Sequence, residues 1–104
     1  MFMQGKDARV WKRISVFAPT MVQVVRHQKS PDVFMGVATD IGPGGMYISS
    51  DEPAECDDIV ALDVDLVEFG EHVTESGRVV RSDADGFAVK FLYRCEMFDS
   101  VRQL

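Results

Sequence analysis

Apolar and polar positions alternate along most of this chain. The pattern is clearest over residues 59 to 66, where Val60, Leu62, Val64 and Leu66 fall on one side and Asp63 and Asp65 on the other. A period of two is that of a strand with one buried face. Met21-Val22-Gln23-Val24-Val25 is rich in β-formers, Val33 to Ala38 is a second apolar run, and Met46-Tyr47-Ile48 is a third. Phe69-Gly70-Glu71 reads as the turn into a strand from His72 to Arg81. Asp83-Ala84-Asp85-Gly86 is a hairpin signal, with Gly86 free to take a positive φ, and Phe87 to Tyr93 returns as the last strand. Six short strands joined by Gly, Pro and Asp turns predict an all-β fold, a six-stranded antiparallel β-barrel. The tail breaks the pattern. Met97, Val101 and Leu104 recur at helical spacing, so a short C-terminal helix is expected, docked on the barrel because so few residues do not hold a lone helix in water. The Met and Phe side chains are expected in the core.

Composition narrows the class without changing this picture. At 104 residues the chain is one domain, large enough to bury a core without staples. It divides into an N-terminal arm (residues 1–18), the barrel (19–94) and the helix (95–104). Cys56 and Cys95 form no CxxC and read as free thiols in a reducing cytoplasm. No apolar run approaches the ~20 residues that span a membrane, so no membrane insertion is expected. The net charge of −6 disfavours DNA or RNA as a general partner. That charge is uneven. Lys6, Arg9, Lys12 and Arg13 against Asp7 give residues 6–13 a net +3, whereas residues 51–75 carry ten acids and no lysine or arginine. A small anion could be held at the basic end while the acidic end repels long polyanions; equally, the acids could simply solvate outward strand faces.

Two local features carry candidate chemistry. Asp40-Ile41-Gly42-Pro43-Gly44-Gly45 places an acid at the head of a turn with three glycines. Gly44 or Gly45 could adopt backbone angles closed to other residues, and absent side chains let a ligand reach main-chain N–H groups. The same residues also suit a plain β-turn. Upstream, Arg9 and Arg13 flank Val10, Trp11 and Lys12 in a stretch with no clean strand pattern. A guanidinium is a planar fork that fits phosphate oxygens or the O6/N7 edge of guanine. Two arginines near a terminus can also be ordinary solvated surface.

Taken in order along the chain, these features resemble the PilZ domain family. Arg9-Val10-Trp11-Lys12-Arg13 matches its RxxxR motif, and Asp40 to Gly45 matches its [D/N]xSxxG motif at the acid and the final glycine. Gly45-Met46-Tyr47-Ile48, Arg78-Val79-Val80-Arg81 and Gly86-Phe87-Ala88-Val89-Lys90-Phe91 follow the family's pattern as well. The resemblance implies a bacterial, cytoplasmic receptor for cyclic di-GMP that performs no chemistry and passes ligand binding to a protein partner. It further implies that Arg9 and Arg13 clamp the nucleotide, that Asp40 accepts hydrogen bonds from a guanine N1/N2 edge, and that Gly45 gives backbone access. The family's serine is Gly42 here, so a hydroxyl contact is missing, and weakened rather than abolished binding is expected. The alternative is a PilZ-like adaptor that binds a protein and no nucleotide.

Other residues offer less. Arg26, Arg78 and Arg81 could reach a phosphate but suit strand faces. Trp11 could stack on a base or cover the barrel mouth. His27 and His72 lack a second ligand at metal spacing, so no metal or other cofactor is expected. Ser49 and Ser50 read as turn residues, and no nucleophile with a supporting base points to an enzyme.

Overall fold

In a computed structural model, residues 13–25, 32–52 and 54–92 can be described. They form six strands: β1 (Ile14–Val25), β2 (Asp32–Ile41), β3 (Gly45–Ser49), β4 (Ile59–Leu66), β5 (Glu71–Ser82) and β6 (Gly86–Phe91). A short 3-10 turn, Val67–Phe69, links β4 to β5. Every pairing is antiparallel, and the sheet closes into a barrel in the order β1-β2-β3-β6-β5-β4. The predicted barrel is therefore present. The predicted helix over 95–104, Cys95, Arg9, Trp11, Arg26 and His27 lie outside the described residues.

Alternation builds the core. On β4, Val60, Leu62, Val64 and Leu66 are buried while Ala61, Asp63 and Asp65 face outward. On β1, Ala18, Val22 and Val24 turn inward with Thr20, whose Oγ1 donates to the Ala18 carbonyl at 2.8 Å and so does not sit unsatisfied among apolar neighbours. Phe87 fills the centre and meets the half-buried Phe34 edge-on, ring centroids 6.1 Å apart.

Three expectations are corrected. First, β1 starts at Ile14, ahead of Met21, where its β-rich run begins in the sequence. A bulge between Ser15 and Ala18 shifts the register against β2, although burial still alternates along β1, and the ladder to β4 begins only at Thr20 opposite Val64. Pro19 sits beside that bulge and outside that ladder, where a strand tolerates proline. The Phe17 N–H instead donates to Glu68 Oε1 at 3.1 Å. Second, not all Met and Phe residues are core. Met46, Phe87 and Phe91 are buried, but Phe17 is 63% exposed, Met35 58% and Met21 44%. Third, Gly70 is the one described glycine with positive φ, 67°; Gly44, Gly45 and Gly86 are not. Gly70 closes the 3-10 turn, as its place in Phe69-Gly70-Glu71 suggests.

Close strand approach explains Gly45 and Gly86. A Cβ on Gly86 would lie 2.0 Å from the Ile48 carbonyl oxygen, and one on Gly45 would lie 2.1 Å from that of Val89. These glycines let β3 and β6 come together; they do not bend the chain.

Candidate functional site

The glycine turn connects β2 to β3. The Gly42 N–H donates to the Gly45 carbonyl at 2.9 Å, closing the turn, and the Phe91 N–H donates to the Gly44 carbonyl at 2.8 Å, tying it to the end of β6. Gly42 and Gly45 are buried, Pro43 is half-buried and Gly44 is exposed. A Cβ on Gly44 would meet nothing within 4 Å. Open backbone is thus found at Gly44, while Gly45 is consumed by its contact with β6.

Bulges decide which side chains join this turn on the outer surface. One lies between Ala38 and Asp40. Ala38 opposite Ile48 faces the core, as does Ile41 opposite Met46, and the extra residue between them places Asp40 opposite the half-buried Tyr47. Without that bulge Asp40 would share the inward phase of Ala38. Asp40 also pairs with Ser15, and Ile14 pairs with Ile41, which brings Arg13 to the mouth of the glycine turn. A second bulge, between Val79 and Arg81, does the same for Arg81, which sits opposite Ala88 instead of following Val79 inward.

A groove of about 380 Å³ lies against the turn. This falls within the ~300–1,000 Å³ range of small-molecule sites. Gly42, Pro43, Gly44 and Gly45 form one wall, Met46, Val80, Ala88 and Val89 give it an apolar floor, and Arg13 and Lys90 are its cations. Arg78 stands opposite Lys90 in the ladder and adds a further positive charge nearby. Three of the five expected site residues, Arg13, Gly42 and Gly45, therefore line one groove. Asp40 is not among its lining residues and stands on the adjoining outer surface; Arg9 lies outside the described residues. Sequence reading did not single out Lys90, which lines the same groove. The signal was available: in Phe87 to Phe91, alternation turns Ala88 and Lys90 outward together.

Beside the groove, Tyr47, Arg81 and Asp83 interlock. The Tyr47 hydroxyl donates to Asp83 Oδ1 at 2.8 Å, and the Arg81 guanidinium carbon lies 5.9 Å from the Tyr47 ring centroid. Asp83 Oδ1 also accepts the N–H groups of Asp85 at 2.9 Å and Gly86 at 3.0 Å, which fixes the β5–β6 hairpin. The Tyr47 hydrogen bond first, then those backbone donors, lower the Asp83 pKa. Desolvation first, then the hydrogen bond and charge of Asp83, raise that of Tyr47.

The remaining candidates fall elsewhere. Ser49 ends β3 opposite Gly86 instead of lying in a turn, and Ser50 Oγ accepts the Glu52 N–H at 3.0 Å. His72 pairs with Asp63 through Nε2. Cys56 is exposed and unbonded. Among the described residues, no three His, Cys, Asp or Glu side chains gather at a metal-binding distance, and no helix is long and apolar enough to cross a membrane.

Comparison with known proteins agrees with this architecture. The model of the PilZ domain family matches residues 7–96. No curated protein matches by sequence. A solved structure described as the PilZ domain of CeSA from a cellulose-synthesizing bacterium superposes with a TM-score of 0.66 at 19% identity, covering 88% of this chain and 93% of that one. At that identity the likeness is one of fold.

Proposed function

Since the chain belongs to the PilZ domain family, whose members include receptors for cyclic di-GMP, we propose that it is a bacterial cytoplasmic effector that binds this nucleotide and answers with altered protein contacts. The observation that carries the reading is the convergence of Arg13 and the Gly42–Gly45 turn on one groove of ligand size. Arg13 and Arg9 grip guanine and phosphate as planar forks. Lys90 adds a point charge on the same groove. Asp40, turned outward by its bulge, accepts hydrogen bonds from a guanine N1/N2 edge, as an ionised carboxylate does. Gly44 leaves room for the ligand against main chain. Gly42 contributes no hydroxyl, so one neutral hydrogen bond is forgone, worth about 0.5–1.5 kcal/mol.

On this reading binding at the groove, with Arg9 and Arg13 on the nucleotide, changes the surface offered to a partner. The chain performs no reaction; its output is the new surface. Amide chemical-shift mapping with cyclic di-GMP tests the placement. Shifts concentrated at Arg13, Gly42 to Gly45 and Ala88 to Lys90 are expected. Shifts confined to β4, or none, would overturn it.

A further inference from the structure

A different part of the barrel is built for another purpose. Several outward positions of β1 and β2 are apolar where solvent-facing strands ordinarily carry polar residues. Phe17, Met21 and Val25 on β1 and Val33 and Met35 on β2 are all substantially exposed. The register makes them one surface: Met21 stands opposite Met35, Gln23 opposite Val33, and Val25 opposite the exposed Ile59 of β4. A groove of about 400 Å³ runs along this surface between β1, β4 and β5, with Met21 on one wall and Asp63 and Thr74 on the other. Apolar patches of this kind mark interaction sites, and unbranched, polarizable methionine adapts to varied partners.

Charge names the partner. On the strand next to Met21, Asp63 and Asp65 face outward, and Glu68 lies at Phe17 through the hydrogen bond from its N–H. No lysine or arginine occurs between residues 51 and 75. Around this surface the described cations are Arg78, opposite Ile59 at the far end of β4, and the exposed Arg13, four residues before Phe17; against them stand Asp63, Asp65 and Glu68, with His72 paired to Asp63. An apolar strip with an acidic border fits a segment with an apolar face and cationic flanks. A second copy would bring the same acids to the interface in a chain of net charge −6. An anionic membrane would meet the same repulsion. From Thr20 to Val24, β1 is paired on both sides, so no open edge invites strand addition, and contact must be through side chains.

We propose that the outer face of β1 and β2, with the acidic border of β4, docks a cationic amphipathic helix of a partner protein. The inference stands apart from the nucleotide reading, since it uses a different face. It is tested on the full chain without nucleotide, by NMR titration with a synthetic leucine–lysine amphipathic helical peptide and with its leucine–glutamate counterpart. Saturable shifts at Phe17, Met21, Val33, Met35 and Asp63 are expected with the lysine peptide alone. Met21→Ser/Met35→Ser keeps every charge and should weaken binding roughly tenfold. Asp63→Asn/Asp65→Asn should weaken it and flatten its salt dependence. Thermal unfolding verifies that both variants remain folded. Equal binding of the glutamate peptide, shifts on the glycine groove, no binding, or an unchanged affinity in the methionine variant would overturn the proposal. So would binding to phosphatidylglycerol vesicles through these residues, or a dimer that the methionine variant abolishes.

Discussion

The two sides of this barrel are built to different rules. In the closed strand order, β3 and β6 lie halfway round from β4 and β1. On the β1–β4–β5 side, the ladders run without a register shift from Thr20 to Val25 and from Ile59 to Leu66. Period-2 alternation there is nearly unbroken, and the outward residues of β1 and β4 are mainly apolar or acidic. On the β3–β6 side, bulges in β2 and β5 shift the phase, and glycines let backbones approach to distances that a Cβ would forbid. Its outward residues include the cations Arg81 and Lys90, the Tyr47 ring and open main chain at Gly44. The regular side presents a surface fixed by the pattern alone. The irregular side departs from local rules to gather specific groups, which is where a ligand site is expected.

Substitutions that separate these two sides can break or sharpen the comparison. The largest effect is expected at Gly45→Ala. Its new methyl would meet the Val89 carbonyl at 2.1 Å, backbone that cannot swing aside. A loss of about 3 kcal/mol in denaturant unfolding is expected. Gly44→Ala, one residue away with nothing within 4 Å, should stay within about 0.5 kcal/mol of the parent. Equal losses would mean that turn geometry, not strand approach, explains both glycines.

Next in size is the clamp. Arg13→Ala should lower cyclic di-GMP affinity by about tenfold to a hundredfold, as loss of charge-assisted hydrogen bonds does. Arg81→Ala should lose less, because Arg81 leans on Tyr47 and Asp83 beside the groove. Asp63→Asn, on the other side, should leave affinity unchanged. Gly42→Ser is expected to tighten binding about twofold to tenfold by restoring one hydroxyl. An affinity that does not move would show that this position lacks contact with the ligand.

The smallest effect concerns pH. Asp83 is lowered by its hydrogen bonds, so its contribution to stability is complete above its ordinary value of 3.8 and is lost as pH falls through the lowered one. Tyr47 is raised, so its contribution is complete below 10.0 and is lost as pH climbs through the raised value. Tyr47→Phe should flatten both limbs of a melting-temperature profile. Unaltered limbs would show that the pair is a surface contact without consequence.

The same contrast explains how much could be read from the chain. Strand β4 was legible almost residue by residue, because Val60 to Leu66 alternate without interruption and both neighbours follow the same register. The start of β1 was not, since the outward but apolar Phe17 and then Pro19 blur in the sequence the alternation that burial follows from Ile14 to Val25. At the groove, the motifs pick out three of its lining residues, Arg13, Gly42 and Gly45. They did not reveal why Gly45 is glycine, because a 2.1 Å approach to Val89 depends on which strand lies next to β3. Nor could alternation predict the outward face of Arg81, which a bulge sets. Lys90 was visible as an outward residue but acquired meaning only when β6 was placed beside the glycine turn.

Calorimetric titration of the full chain with cyclic di-GMP, beside the Arg13→Ala variant, tests the central claim most directly. Saturable heat from the parent and a markedly weaker response from a folded variant are the predicted result. No heat up to about millimolar nucleotide, an affinity floor near −4.1 kcal/mol, or equal affinity in the two proteins would contradict it.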